Sequence, residues 1–349
     1  MTEKERYRVL IASYLEPHLV ARIEQVDSRL EVIYEPALLA PPRYPADHKG
    51  GPFQRSEEGE VRWRRYLASA DILFDFDPTH VEDLPVLAPN VSWIQATSSG
   101  IGQFVKRHGY DHRMPETLFT TARGVHAQPL AEFCLLAMLS FTKNLPRLQR
   151  DQGRRVWERF AGTDLSERTL GIIGVGAVGK EVARLARALG MEVLGIKRRV
   201  EGVAPDSLHL TELHPPQALH EVLRRSEFLV LTAPHTPETE RILGSQELAL
   251  LPRGAVLINI GRGALVDEAA LIEHLDSGHL EGAWLDVFER EPLPPESPLW
   301  RMTGVLVSPH SASTSDRENR RITDLFCENL RRFLAREPLL NLLDVVGLY

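Results

Sequence analysis

Cysteine is nearly absent from the chain: Cys134 and Cys327 are the two among 349 residues. Two thiols far apart make no disulfide framework and no CxxC redox or metal pair, and they suit a reducing compartment. No metal site is expected. No apolar run reaches about 18 residues, which excludes a membrane-spanning helix, and the opening MTEKERYRVL carries charge where a secretory leader needs apolar residues. These features predict a soluble, cytoplasmic protein with no membrane partner. Basic excess is also missing. Forty-one Lys and Arg stand against 48 Asp and Glu, a net charge of −7, so a phosphate-tracking surface and a nucleic-acid partner are excluded. No internal repeat is visible.

What is present is an ordinary globular composition, 43% hydrophobic and 26% charged, in a chain long enough for about two domains. Apolar runs predict strands at Arg8 to Ala12, Glu31 to Tyr34, Asp71 to Phe76 and Val91 to Ala96, with a helix over Pro17 to Leu30. Residues Pro41 to Glu60 turn to Pro, Gly and charge without periodicity, and read as a surface loop or lid. His126 to Phe141 reads as a helix that is apolar nearly all round, to be buried between elements or at a subunit interface. A polar stretch follows from Arg147 to Arg168. Strands at Phe228 to Thr232, Ala255 to Asn259, Gly282 to Val287 and Val305 to Ser308 then alternate with helical segments, the pattern of a parallel sheet, and an amphipathic helix spans Ser315 to Arg336.

The most informative segment is LGIIGVGAVG, Leu170 to Gly179, followed by a helical stretch and a second strand. Gly174 allows the tight turn, Gly176 lets backbone approach a pyrophosphate, and Gly179 lets helix pack on strand, while Ala177 and Val178 open the helix whose N–H groups face the anion. This predicts a dinucleotide site. An NAD site usually carries Asp or Glu about 20 residues on. Here Lys197, Arg198 and Arg199 stand there instead, cations that suit a 2′-phosphate, so NADP(H) is preferred and NAD(H) remains possible.

Three later segments carry chemistry: INIGRGALVDE, GAWLDVFEREPLP and VSPHSAS. With the glycine motif, and with ATSSGIGQF and GVHAQPLAE upstream, they resemble the D-2-hydroxyacid dehydrogenase family over nearly the whole chain, closest to its glyoxylate/hydroxypyruvate reductase branch. Reducing a 2-oxo acid needs a cation for the carboxylate, a proton donor for the carbonyl oxygen and a hydride source held in register. Arg262, between Gly261 and Gly263, offers a planar fork that matches a carboxylate. His310 follows a strand's C-terminal end and is the acid/base candidate. Glu291 is its partner by resemblance, because the family's catalytic Glu precedes Pro; Glu289 is the rival two residues away. The resemblance further implies that the backbone of Ser99 and Gly100 holds the substrate carboxylate, that Asp286 meets the nicotinamide carboxamide, and that Pro234 and Ile260 line the cofactor. Asp286 as a strand-end cap is the alternative.

The implied fold is α/β, two Rossmann-like doubly wound parallel-sheet domains separated by a deep cleft. Residues 1–119, completed by 311–349, would bind substrate, and residues 120–310 the dinucleotide. The implied activity is reduction of a small 2-oxo acid to a D-2-hydroxy acid by a homodimer. Rivals are a 3-phosphoglycerate dehydrogenase and a dinucleotide-binding corepressor of the C-terminal binding protein type. Formate dehydrogenases share the architecture but have no use for a Glu-His proton relay.

Overall fold

The computed structural model describes residues 6–345 and 347. The charged start of the N-terminal stretch, residues 1–5, lies outside the described residues, as do 346, 348 and 349 at the end of the C-terminal segment. The chain forms two compact units, the first ending at Val125 and resuming at Thr314, the second running from His126 to Ser313.

The first unit holds a five-stranded sheet in the order β2-β1-β3-β4-β5, with β1 Tyr7–Ile11, β2 Leu30–Ile33, β3 Ile72–Phe74, β4 Trp93–Gln95 and β5 Leu118–Thr120. Every pairing is parallel. Apolar side chains cover both faces, Trp63 and Tyr110 on one and Trp93 and Phe326 on the other. The helix Glu318–Ala335 supplies Phe326, so the end of the chain completes this unit.

The second unit is a seven-stranded parallel sheet in the order β12-β11-β10-β9-β6-β7-β8. Its strands are β6 Thr169–Ile173, β7 Glu192–Ile196, β8 Glu212–His214, β9 Phe228–Leu231, β10 Ala255–Asn259, β11 Leu280–Leu285 and β12 Val305–Val307. The central strands TLGII, FLVL and AVLIN are buried along their whole length, which is why they read as continuous apolar runs rather than alternating ones. Strand order reverses between β6 and β9, and ligands of such sheets bind outside the carboxyl ends of the strands at that point.

Three sequence expectations are corrected. The first helix is shorter than expected, Pro17–Glu24, because Asp27 Oδ1 accepts the Arg29 N–H at 2.8 Å and offers the backbone a turn in place of another helical bond. The loop expected to run to Glu60 ends at Ser56, whose hydroxyl caps the helix Glu57–Ser69 by accepting from Gly59 N at 3.1 Å, with Glu57, Glu58 and Glu60 at its positive end. A first turn built of acids hides the apolar period. The polar stretch after Arg147 contains most of a helix, Leu145–Arg154, none of whose residues is buried, so hydrophobic spacing gave no signal.

Candidate active site

At the end of β6 the backbone turns through Gly174 at φ +100°, where a Cβ would lie 2.5 Å from Ala233 N. The N–H groups of Gly174 and Val175 both donate to Ile196 O, at 3.0 and 3.2 Å. The helix Ala177–Ala188 starts immediately after Gly176 with no side-chain cap, and a Cβ built on Gly176 would meet open space. Uncapped N–H groups, helix dipole and unobstructed approach fit a dinucleotide pyrophosphate. Lys197 reaches back from the end of β7 and donates from Nζ to Val175 O at 2.9 Å, bracing the glycine turn. Arg198 and Arg199 are exposed beyond it. The Thr236 hydrogen bond first, with a smaller contribution from the charge of Arg198, holds the Glu238 carboxyl below its usual range. Pro234 follows β9 and is exposed, while Ile260 follows β10 and is buried.

The chemistry-bearing loops sit at the carboxyl ends of β10, β11 and β12. Asn259 closes β10 and shapes the next turn, accepting from Gly261 N at 3.1 Å and donating to Arg262 O at 3.0 Å. Arg262 is extended, and its Nη1 donates to Gly261 O at 2.7 Å. Its side chain reaches solvent, yet protein crowds it enough for desolvation to pull the guanidinium below its ordinary value, an effect opposed by the charge of Glu291. Gly263 packs so closely on the Phe288 carbonyl that a Cβ there would overlap it, locking the Arg262 turn to the loop that carries Glu291. Glu291 accepts from Phe288 N through Oε1 at 3.2 Å, and its Oε2 lies 2.9 Å from His310 Nδ1. Glu289, the rival, turns instead toward Arg241 and Glu268 N. Nε2 of His310 has no protein partner among the described residues, so one ring nitrogen is anchored and the other is presented.

His310 stands at φ +54°, and its N–H is shared between the carbonyls of Asp286 and Ser308, each at 3.0 Å. Beneath it Asp286 is 2% exposed, and its Oδ1 accepts from Ser308 Oγ at 2.6 Å, Ser311 N at 2.8 Å and Ala312 N at 2.9 Å. This is the geometry of a strand-end cap, and it wraps the His310 loop around one carboxylate oxygen. Sequence reasoning held the cap as the alternative role of Asp286 without seeing which loop it clamps, and it missed the Asn259 brace. The alternation of serine around His310 in VSPHSAS was the available signal.

In the first unit, Ser99 and Gly100 lie exposed in the loop after β4. Its ends are held by Thr97 Oγ1 donating to Asp75 Oδ2 at 2.8 Å and by Ala122 N donating to Ser98 O at 3.0 Å.

Residues 135–312, half of the chain, match the family model described as D-isomer specific 2-hydroxyacid dehydrogenase, NAD binding domain. The chain belongs to the D-isomer specific 2-hydroxyacid dehydrogenase family. A D-3-phosphoglycerate dehydrogenase of Methanocaldococcus jannaschii is 31% identical over 218 residues, 62% of this chain and 41% of its own length. A glyoxylate reductase of Korarchaeum cryptofilum is 32% identical over 236 residues, 64% of this chain and 68% of its own. The match thus spans only about two fifths of the first of these relatives. Among solved structures, a D-isomer specific 2-hydroxyacid dehydrogenase of Xanthobacter autotrophicus Py2, in complex with NADPH and MES, is 30% identical with a TM-score of 0.77, covering 99% of this chain and all of that one. In this 2-hydroxyacid dehydrogenase family member the seven-stranded unit contains the NAD-binding domain, and Arg262, Glu291 and His310 all belong to it.

Proposed function

We propose that the chain reduces small 2-oxo acids of the glyoxylate and hydroxypyruvate kind to D-2-hydroxy acids, using NADPH in preference to NADH. The observation that carries this reading is the Glu291–His310 contact at 2.9 Å, which anchors Nδ1 and leaves Nε2 facing outward, on loops locked to the Arg262 turn. Gly174, Gly176 and the uncapped helix start would hold the pyrophosphate of the dinucleotide, Pro234 and Ile260 would line it, and its nicotinamide would supply the hydride. Arg262 binds the substrate carboxylate and polarises the adjacent carbonyl, with the backbone N–H groups of Ser99 and Gly100 as further donors. His310 passes a proton from Nε2 to the carbonyl oxygen as charge develops there, and Glu291 stabilises the imidazolium and fixes the ring. Asp286 holds the His310 loop through Oδ1, and its other oxygen is the atom left for the carboxamide.

The preference for NADPH rests on Arg198 and Arg199 standing where an acidic residue would accept from a ribose hydroxyl, and the Xanthobacter relative in complex with NADPH agrees with it. Two buried free thiols support a reducing, cytoplasmic setting. No helix among the described residues is long and apolar enough to cross a membrane. A second copy of the chain is the proposed partner.

The test is NADPH oxidation with glyoxylate and hydroxypyruvate, beside the His310→Asn variant and a reverse arm with 3-phosphoglycerate and NAD. Turnover lost in the variant supports the reading. Faster oxidation of 3-phosphoglycerate would replace it with the phosphoglycerate dehydrogenase activity, and binding of NADPH without turnover of any acid would favour a corepressor-like role.

A further inference from the structure

The 41–60 segment has no part in the chemistry above, yet it shapes the binding end of the first sheet. Residues of that segment and of the loops after β1 and β3 enclose a cavity of about 10 Å³, room for roughly one water-sized group. Ser13, Tyr14, His48, Lys49, Arg55 and Thr79 are its polar lining. His48 Nδ1 lies 3.0 Å from Ser13 Oγ, and its Nε2 is buried with no partner. A buried ring nitrogen without a partner is costly, so it marks a place where an oxygen belongs. When the Ser13 hydroxyl donates to Nδ1, the neutral imidazole carries its hydrogen on Nε2 and offers a donor to the cavity.

The charges around it are unevenly matched. Arg55 is locked, donating to Thr79 Oγ1 at 2.7 Å and to Leu38 O at 2.7 Å with its guanidinium over the Trp63 ring, and Glu60 and Asp77 face it. Lys49 is different: among the described residues no acid lies within ion-pair distance of its exposed ammonium. The lining therefore offers one uncommitted cation and one aimed donor, the complement of an oxyanion.

Position links this cavity to the substrate. All five strands run parallel, so the loops after β1, β3 and β4 share one edge of the sheet, and β3 lies between β1 and β4. The Ser99–Gly100 loop follows β4, so the cavity is one to two strand spacings away, about 5 to 10 Å. A 2-oxo acid seated by its carboxylate on that loop would extend along the edge toward β3 and β1.

We propose that His48 and Lys49 form a subsite for a distal carboxylate, one oxygen entering the cavity to meet His48 Nε2 and the rest of the group staying outside at the exposed Lys49 ammonium, which makes 2-oxo diacids better substrates than 2-oxo monoacids of equal length. This rests on the reading of the chain as a 2-oxo acid reductase and adds the substrate class. The experiment compares kcat/KM for 2-oxoglutarate and 2-oxovalerate, with glyoxylate as a reference that has no distal group. The wild type is expected to favour the diacid by at least about tenfold, and Lys49→Glu and His48→Ala to bring the ratio near one. Because the ratio is read on one preparation, partial loss of folded enzyme does not alter it. Equal use of diacid and monoacid, with glyoxylate still reduced, overturns the subsite and leaves the reductase reading standing. A diacid preference unmoved by both substitutions overturns it too, since recognition then lies elsewhere. Failure to reduce any 2-oxo acid removes both.

Discussion

The roles proposed for Arg262 and His310 differ, and kinetics separates them. A guanidinium that binds carboxylate and polarises a carbonyl acts in both ground and transition states, so Arg262→Lys, which replaces a fork by a point charge, should raise KM and lower kcat together. The expected loss in kcat/KM is about a hundredfold or more in steady-state assays, and loss confined to KM would leave Arg262 a binding residue only. The role proposed for His310, proton transfer, is made only in the transition state, and on that reading His310→Asn should lower kcat by about 10² to 10⁴ with KM changed little. On the cofactor side, Lys197 is engaged with Val175 O, so the proposed preference for NADPH rests on Arg198 and Arg199. Arg198→Ala should weaken NADPH by about tenfold or more while leaving NADH near its starting affinity, read by fluorescence titration of both. Equal losses for the two would refute the 2′-phosphate role.

At the scale of elements, the loop that follows β12 keeps its shape through Asp286, and a proton donor on a loose loop is a poor catalyst. Asp286→Ala leaves Ser308 Oγ, Ser311 N and Ala312 N without their acceptor. The variant should lose about 1–3 kcal/mol in urea denaturation, and kcat should fall through the loosened His310 loop as well as through the carboxamide contact proposed for Asp286. Asp286→Ala with unchanged kcat would show that the loop holds itself. The same loop shows why part of the site was hidden in the sequence. The strands and the glycine turn were legible because burial on both faces forces runs such as TLGII and FLVL, and because a positive φ at Gly174 demands that residue. Arg262, Glu291 and His310 were singled out through their neighbours, and the structure places the last two 2.9 Å apart. The Asp286 clamp joins atoms 22 to 26 residues apart, and the Lys197 brace joins two loops across a βαβ unit. Such pairings leave no local periodicity. The helix Leu145–Arg154 escaped for the opposite reason, having no buried face to mark it.

Two properties belong to the whole molecule, its association and its response to pH. Trp157 is 98% exposed, and Leu136, Leu148 and Val156 in the same stretch of chain are about half exposed. Aromatic side chains left in water on a folded chain mark contact surfaces, so a dimer built on this stretch should sediment at twice the chain mass, and Trp157→Glu should shift it to one. A monomeric wild type would rule out this interface. The pH response centres on His80 in the first unit. Its Nδ1 lies 2.9 Å from Asp77 Oδ2 and its Nε2 2.7 Å from Glu60 Oε1, while Arg64 approaches Nε2 and Arg55 faces both acids. The Asp77 hydrogen bond raises His80 above its ordinary 6.5 against the opposing effect of burial. Burial alone would raise Asp77, but hydrogen bonds from His80, Thr79 and Trp63 outweigh it and hold that carboxyl low. A raised histidine binds its proton more tightly in the folded state than in the unfolded one. Its stabilisation is therefore complete below pH 6.5 and disappears as pH climbs through the raised value, whereas the Asp77 contribution fails only in acid. The difference in urea midpoint between wild type and His80→Gln should accordingly be larger at about pH 6 than at about pH 9. A difference that is constant across this window would mean that the imidazole contributes through packing and neutral hydrogen bonds, without its charge.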